Sequence, residues 1–163
     1  METILKRHGF VTFWLWLGIV INIIAVPYSL MSYQSLKNLG LYGMQLISAG
    51  IDINPFVDTI GIYVLIMQAT ALMGATLLII GYRKLLNWQK SGFWLNASTA
   101  VVSCIINIIM MHFIGQEYLK LGLLLFASRQ LIMVAIGVVI SILIQWAILQ
   151  IRKDGVSCWN QLK

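Results

Sequence analysis

The sequence predicts an all-α polytopic membrane protein, with four transmembrane helices arranged as two helical hairpins and short interfacial helices in the outer loops. Hydrophobic residues make up 60% of the 163 residues, and charged residues make up 10%, against roughly 25% in ordinary soluble domains. A soluble chain of 18.4 kDa has too little interior for so many apolar side chains. We therefore interpret residues 1–163 as a single four-helix transmembrane domain.

The four predicted spans cover residues 10–31, 61–82, 92–114 and 131–151, each close to the length of about 20 residues that crosses a bilayer. None has an Asp, Glu, Lys or Arg in its interior. Because hydrocarbon offers no hydrogen-bond partner, each backbone amide must be satisfied within its segment, which favours helices. A β-barrel would alternate apolar and polar residues, whereas these runs are continuous. The short connections exclude a separate soluble catalytic domain.

The basic residues predict the orientation of the chain. Two spans separate the N-terminus from the loop at residues 83–91, and two more separate that loop from the C-terminal tail. These three segments therefore share one side, and their eight basic residues are Lys6, Arg7, Arg83, Lys84, Lys90, Arg152, Lys153 and Lys163. The other side has three: Lys37, Lys120 and Arg129. The split places both termini in the cytoplasm and explains the pI of 9.6 without nucleic-acid binding.

The outer loops are expected at residues 32–59 and 115–130. Leucines at near-helical spacing in the first loop predict a short helix at the membrane interface, and the second loop is similar in character. Asn54 followed by Pro55 is typical of a helix start before the second span. The apolar region of the first span is about twice the length found in signal peptides, so we expect it to be retained. Cys104 and Cys158 are expected to be free thiols.

A weak internal repeat supports the two hairpins. Ile21–Ile24 and Ile106–Ile109 both read Ile-Asn-Ile-Ile, and each follows a Gly-Phe pair at the start of its span. Spans two and four also both end in Arg-Lys. Because both hairpins would begin on the same side, this would be a parallel repeat about an axis along the membrane normal.

Small and polar residues recur at helical spacing on one face of each span. We interpret them as helix-packing positions, with amides that hydrogen-bond across the seam; the alternative is the lining of a narrow pore between several copies. The candidate residues are Gly18, Asn22, Ala25, Ser29, Gln68, Asn96, Ala100, Ser103, Asn107, Gly137, Ser141 and Gln145.

No pattern predicts catalysis. The spans lack mid-depth ionisable residues, which disfavours a proton relay, a voltage sensor or ion-coupled transport. We find no nucleophile–base pair, no metal-ligand spacing and no phosphate-binding loop, so we expect no catalytic, cofactor-binding or metal-binding residues and no enzymatic activity. His8 and His112 fall on opposite sides of the membrane. Five of the six tryptophans lie near cytoplasmic span ends, as in an aromatic belt.

Two segments resemble small four-span bacterial inner-membrane proteins of no known activity. They are residues 85–94, LLNWQKSGFW, and residues 149–162, LQIRKDGVSCWNQL. The resemblance implies a multi-pass protein of the bacterial inner membrane; some small proteins of this design are membrane effectors or immunity partners.

We expect the chain to act through helix–helix association, either self-assembling as a homo-oligomer that forms a small pore or acting as a membrane effector. One alternative is a membrane subunit or immunity-type partner of another membrane protein. Another is a small membrane enzyme or lipid-binding protein. The expected partners are the lipid bilayer and either further copies of the chain or a second membrane protein, with no nucleic acid.

Overall fold

The computed structural model describes residues 7–37, 54–120 and 127–163. Four long helices account for most of them: α1 (Gly9–Lys37), α2 (Asn54–Leu86), α3 (Ser91–Lys120) and α4 (Ala127–Leu149). A short tail follows α4, made of β1 (Arg152–Lys153), β2 (Val156–Ser157) and α5 (Cys158–Gln161). The predicted all-α character is therefore confirmed for the long elements.

Three of the helices are long and apolar enough to cross a membrane, over Gly9–Pro27, Thr59–Leu86 and Ser91–Glu117. In α4 the apolar stretch among the described residues is shorter, Ala135–Leu149, so the fourth span remains a prediction. Large apolar side chains point outward from the helices; Phe13 is 60% exposed and Met73 67%. Such a surface is suited to lipid, because water would make it an aggregation site.

The helices extend beyond the predicted spans. α1 runs on to Lys37 and α2 begins at Asn54, at the predicted start signal. Both ends of the first expected outer loop therefore belong to long helices, because the helical backbone continues where the side chains become more polar. The same holds for α3, which ends at Lys120. The rest of the two expected interfacial segments, residues 38–53 and 121–126, lies outside the described residues.

Helix α2 is the centre of the packing, with α3 against one side and α1 against another, while α4 packs on α3. α2 and α3 form an antiparallel pair that is tightest beside their connecting turn. A Cβ at Gly92 would lie 2.8 Å from the backbone nitrogen of Leu85 and still nearer to the carbonyl oxygen of Gly81. At the other end of the pair the rings of Tyr63 and Phe113 stack with centroids 5.6 Å apart.

The start of α1, the α2–α3 turn and the C-terminal tail meet at one end of the bundle, which we call the end cap. Backbone hydrogen bonds join the tail to the turn: the Lys90 amide donates to the Lys163 carbonyl at 2.6 Å, and the Lys163 amide donates to the Trp88 carbonyl at 2.8 Å. The buried apolar residues of the end cap are Val11, Leu15, Leu85, Phe93, Ile148, Leu149, Cys158 and Leu162.

Arg7 ties α1 to the end of α2. Its guanidinium donates to the carbonyl oxygen of Leu85 at 2.6 Å and to that of Leu86 at 3.3 Å. These are carbonyls of the last turn of α2, where a cation also interacts favourably with the helix dipole. The same guanidinium lies 4.0 Å from the ring centroid of Trp88. This stacking helps to hold Trp88 at its φ of 62°, a conformation that is costly for a residue with a side chain.

The tail folds locally as its sequence dictates. Asp154 and Gly155 have φ values of 54° and 84°, which is the pair of positive angles that a tight two-residue hairpin turn requires. The Ser157 side chain then accepts a hydrogen bond from the backbone N–H of Asn160 and caps α5. The proposed repeat does not extend here. Arg83 and Lys84 lie in the last turn of α2, whereas Arg152 and Lys153 form a strand, because Asp-Gly reverses the chain immediately after them.

Candidate functional site

A cavity of about 300 Å³ lies between all four helices, directly beyond the end cap. α1 contributes the stretch from Trp14 to Asn22, which lies about 8 to 20 Å along the helix from Gly9 at 1.5 Å per residue. Trp14, Tyr82 and Ile142 line the cavity and also pack against the end cap, so the cavity borders the end cap. The complete lining is Trp14, Leu17, Gly18, Ile21, Asn22, Leu78, Tyr82, Asn96, Ala100, Ser141, Ile142 and Gln145.

Two buried amides in this lining have unused hydrogen-bonding groups. Asn96 on α3 is 2% exposed, and Gln145 on α4 is 7% exposed. Within the described part of the chain, neither Nδ2 nor Oδ1 of Asn96 has a partner, and the same is true of Nε2 of Gln145. A buried amide group without a partner costs about 1–3 kcal/mol, so groups of this kind call for an explanation.

Two glycines leave room for side chains that line the cavity. At Gly18 the ring of Tyr82 lies directly over the backbone, so that a Cβ would come within 2.5 Å of Tyr82 Cζ. At Gly81 a Cβ would collide with the amide of Asn96. A side chain at either position would push a cavity-lining group away. The glycines thus set the position of one aromatic and one amide group.

Six of the twelve predicted residues line this cavity, namely Gly18, Asn22, Asn96, Ala100, Ser141 and Gln145. The structure therefore brings together small and polar residues from three helices, which the sequence analysis had assigned to separate helix faces. Of these six residues, Asn96 and Gln145 are buried and Ser141 is exposed.

The other predicted residues lie elsewhere. A Cβ at Gly74 would lie 3.1 Å from Ser103 Oγ, which places Ser103 at the α2–α3 seam. Gln68 is half-buried on α2, while Ala25 and Gly137 are exposed, and Ser29 falls within α1. Nothing lies within 4 Å of a Cβ built at Gly137.

Asn22 and Asn107 use their amides differently from the expectation. Asn22 Nδ2 donates to the Gly18 carbonyl at 2.7 Å, and Asn107 Nδ2 donates to the Ser103 carbonyl at 2.8 Å. Each bond lies within one helix, four residues back, and does not cross a seam. A carbonyl of the preceding turn is always within reach of an Asn side chain on a helix, so it competes with partners on other helices.

The cavity wall carries no charge. No Asp, Glu, Lys, Arg or His is among the twelve lining residues. Over the described ranges, no three His, Cys, Asp or Glu side chains come close enough to hold a metal ion. The wall offers amide, hydroxyl and aromatic groups, whose chemistry is hydrogen bonding and stacking.

The residues that line the cavity differ in their exposure. On the α3 side Asn96 is buried, whereas Ile21 of α1 is 55% exposed and Ser141 of α4 is also exposed. α1 and α4 do not pack closely on each other, although each packs closely on a neighbour. α1 and α4 therefore both line the cavity without packing closely against each other.

No family model, curated protein or solved structure matches this chain.

Sequence reasoning missed Trp14, Tyr82 and Arg7 as positioned residues. Trp14 was assigned to the aromatic belt and Arg7 to the topology signal, and both assignments rest on nearness to a span end. Trp14 stands four residues before Gly18 on the same face, which was a usable signal. The stacking of Tyr82 on Gly18 depends on how α1 meets α2, and periodicity within one helix does not carry that information.

Proposed function

We propose that the chain is a four-span protein of the bacterial inner membrane that acts by binding, without a catalytic step. We further propose that the small and polar residues of its spans act within one bundle. The observation that carries this proposal is the convergence of six predicted polar or small residues on one cavity. A pore between copies needs those side chains on an outer face that meets other copies. Here they are used within a single chain.

The meeting of three chain segments at the end cap supports four spans and a common side for both termini. Arg7, the turn at Lys90 and the tail at Lys163 are in contact or hydrogen-bonded there. α4 must then return from the far end of the bundle to the end cap. The basic residues of this end favour the cytoplasm by the positive-inside rule.

Cysteine labelling tests this topology with two exposed glutamines. In a version with Cys104→Ala and Cys158→Ala, Gln116→Cys is expected to react with an impermeant maleimide added to intact cells, and Gln89→Cys only after lysis. The opposite pattern would reverse the orientation. Reaction of both in intact cells would contradict the four-span threading.

Permeability separates binding from pore formation. Liposomes containing the purified protein at high density are expected to retain a small trapped dye, because the polar groups are enclosed by one bundle. The mass of the detergent-extracted particle, measured beforehand, gives the number of copies. Dye release that Ser141→Leu abolishes would overturn the binding proposal in favour of a pore.

A second candidate function is association with another transmembrane helix through α4. Gly137 is exposed, with open space around its Cα, and a small residue at such a site lets two helices approach closely. The partner would be a second copy or another membrane protein. Gly137→Leu is expected to abolish this contact and reduce the particle mass to that of one chain plus detergent. If the unmodified protein and the variant have the same particle mass, association through Gly137 is excluded.

A further inference from the structure

We propose that the exposed basic residues of the end cap bind anionic phospholipid headgroups, in the leaflet that faces this end of the bundle. This surface is separate from the cavity, so the inference goes beyond the proposed function and holds for either orientation of the chain. Three observations carry it: the charge at this end of the bundle, the exposed tryptophans beside it, and the side-chain pattern of the tail hairpin.

The charges of the described chain are divided between the two ends of the bundle. The end cap has seven basic residues, and Asp154 is the one acidic residue described there. The other acidic residues of the described ranges, Asp58 and Glu117, belong to the far ends of α2 and α3. Arg7 and Lys90 each lie over a tryptophan ring. The other five cations form what we call the basic surface, all exposed except for the half-buried Lys84: Arg83, Lys84, Arg152, Lys153 and Lys163.

Exposed tryptophans place the basic surface at the depth of the lipid headgroups. Trp16, Trp94 and Trp146 are exposed on three different helices. Trp94 lies three residues after the start of α3 and Trp146 three residues before the end of α4, about 5 Å along each helix. Tryptophan on the surface of a membrane protein prefers the boundary between headgroups and hydrocarbon. The cations just beyond these rings therefore lie beside the phosphates of the same leaflet.

The tail hairpin has the side-chain pattern of an interfacial segment. Lys153 and Val156 are directly opposite each other in the β1–β2 ladder, so their side chains share one face. Val156 is exposed, whereas every other exposed large apolar side chain of the described residues lies on a long helix. On this face the valine contacts the upper acyl chains, and the lysine stem lies along them while its ammonium reaches a phosphate. Arg152 is exposed on the opposite face and offers a planar donor to a second phosphate.

The hairpin is attached to the bundle before any lipid binds. The backbone N–H of Cys158 donates to the Ile151 carbonyl at 3.4 Å and closes the base of the hairpin. Leu149 before it and Cys158 after it are buried in the end cap. The two hairpin cations are therefore held near their position at the membrane surface. A flexible basic tail would lose more conformational entropy when it bound the same headgroups.

Tryptophan quenching by brominated lipids tests the proposal, because all six tryptophans of the chain belong to this end of the bundle. The full-length protein is reconstituted in dioleoylphosphatidylcholine with increasing fractions of brominated phosphatidylglycerol or brominated phosphatidylcholine. The two quenching curves give the relative binding constant of the lipids at the end cap. We expect an approximately fivefold preference for phosphatidylglycerol, which decreases at about 0.5 M salt because the cations are exposed. Equal quenching by both lipids would overturn the proposal.

Matched double variants locate the preference. Arg152→Gln with Lys153→Gln removes both hairpin cations and is expected to reduce the preference to about twofold. Lys37→Gln with Lys120→Gln removes the same charge at the far ends of α1 and α3 and is expected to leave the preference unchanged. Each pair lowers the formal net charge of +6 by two, so overall charge does not distinguish them. An unchanged preference in the hairpin variant, or an equal loss in the far-end variant, would overturn the assignment to the end cap.

Discussion

The end cap and the cavity are adjacent, but they differ in how many of their buried polar groups are paired. In the end cap the terminal carbonyls of α2 are bound by Arg7, and the backbone of Lys163 pairs with the turn in both directions. In the cavity lining three buried amide atoms have no partner, whereas among the described residues of the end cap only Nε of Arg7 has none. A membrane protein gains stability when polar groups in its interior are paired, and it keeps them unpaired at a cost. The end cap therefore contributes more to stability through its polar contacts than the cavity lining does.

The largest expected effect comes from the close contact between α2 and α3 beside their connecting turn. Gly92→Ala would place a methyl group 2.8 Å from the Leu85 backbone nitrogen. Because the neighbouring atoms belong to the backbone, they cannot move aside as the end of a flexible side chain can. We expect a loss of about 1–3 kcal/mol in unfolding free energy, the usual cost of overpacking.

Gly61→Ala is the matched control, because nothing lies within 4 Å of a Cβ built at that position on α2. It is expected to leave stability unchanged or raise it by up to about 1 kcal/mol, through the better helix propensity of alanine. Melting in detergent measures both. Equal effects of the two substitutions would remove the argument that α2 and α3 need a glycine at their turn.

The next effect concerns the end cap alone. Arg7→Lys keeps the charge but loses the planar donor that reaches both Leu85 and Leu86 and stacks on Trp88. We expect a loss of about 1.5 kcal/mol. Arg83→Lys, at an exposed position in the last turn of α2, should change stability by less than about 0.5 kcal/mol. If both variants melt alike, Arg7 acts only as a topology signal.

The smallest effect has the opposite sign and lies in the cavity. In the purified protein, Gln145→Met replaces an unpaired buried donor with an apolar group of similar length. Removal of the unsatisfied group is expected to raise the unfolding free energy by about 1 kcal/mol. Gln68→Met should show no such gain. A destabilised Gln145→Met variant would mean that the amide is paired in the protein and that the end cap and the cavity do not differ in the pairing of their polar groups.

The long apolar helices could be predicted because a span is recorded in consecutive residues. The start of α2 at Asn54 and the Asp154-Gly155 turn are equally local signals. The stripes indicated which faces carry polar groups, and half of the candidate residues do line the cavity. The stripes do not indicate how each helix is rotated about its own axis in the bundle, because that rotation depends on contacts between helices.

The amides show that limit most clearly. Asn22, Asn96 and Asn107 looked equivalent in sequence, yet two bond to their own helices and one remains unpaired. The amide of Asn96 packs against Gly81 on the neighbouring helix, which no pattern within α3 records. Arg7 was similarly ambiguous, because a basic residue at a span end has the same appearance whether it faces phosphate groups or a helix end.

The pairing of Lys163 with the turn at Trp88 and Lys90 has a consequence for biogenesis. The turn is synthesised about 70 residues before its partner, which at 5–20 residues per second corresponds to a delay of several seconds. During that interval the first three helices can insert while the end cap is still incomplete. In the proposed four-span threading, the tail reaches the turn only after α4 has crossed back to the starting side. Docking of the tail would then be a check on correct insertion, since a chain with one helix left out would keep its last residues on the wrong face of the membrane.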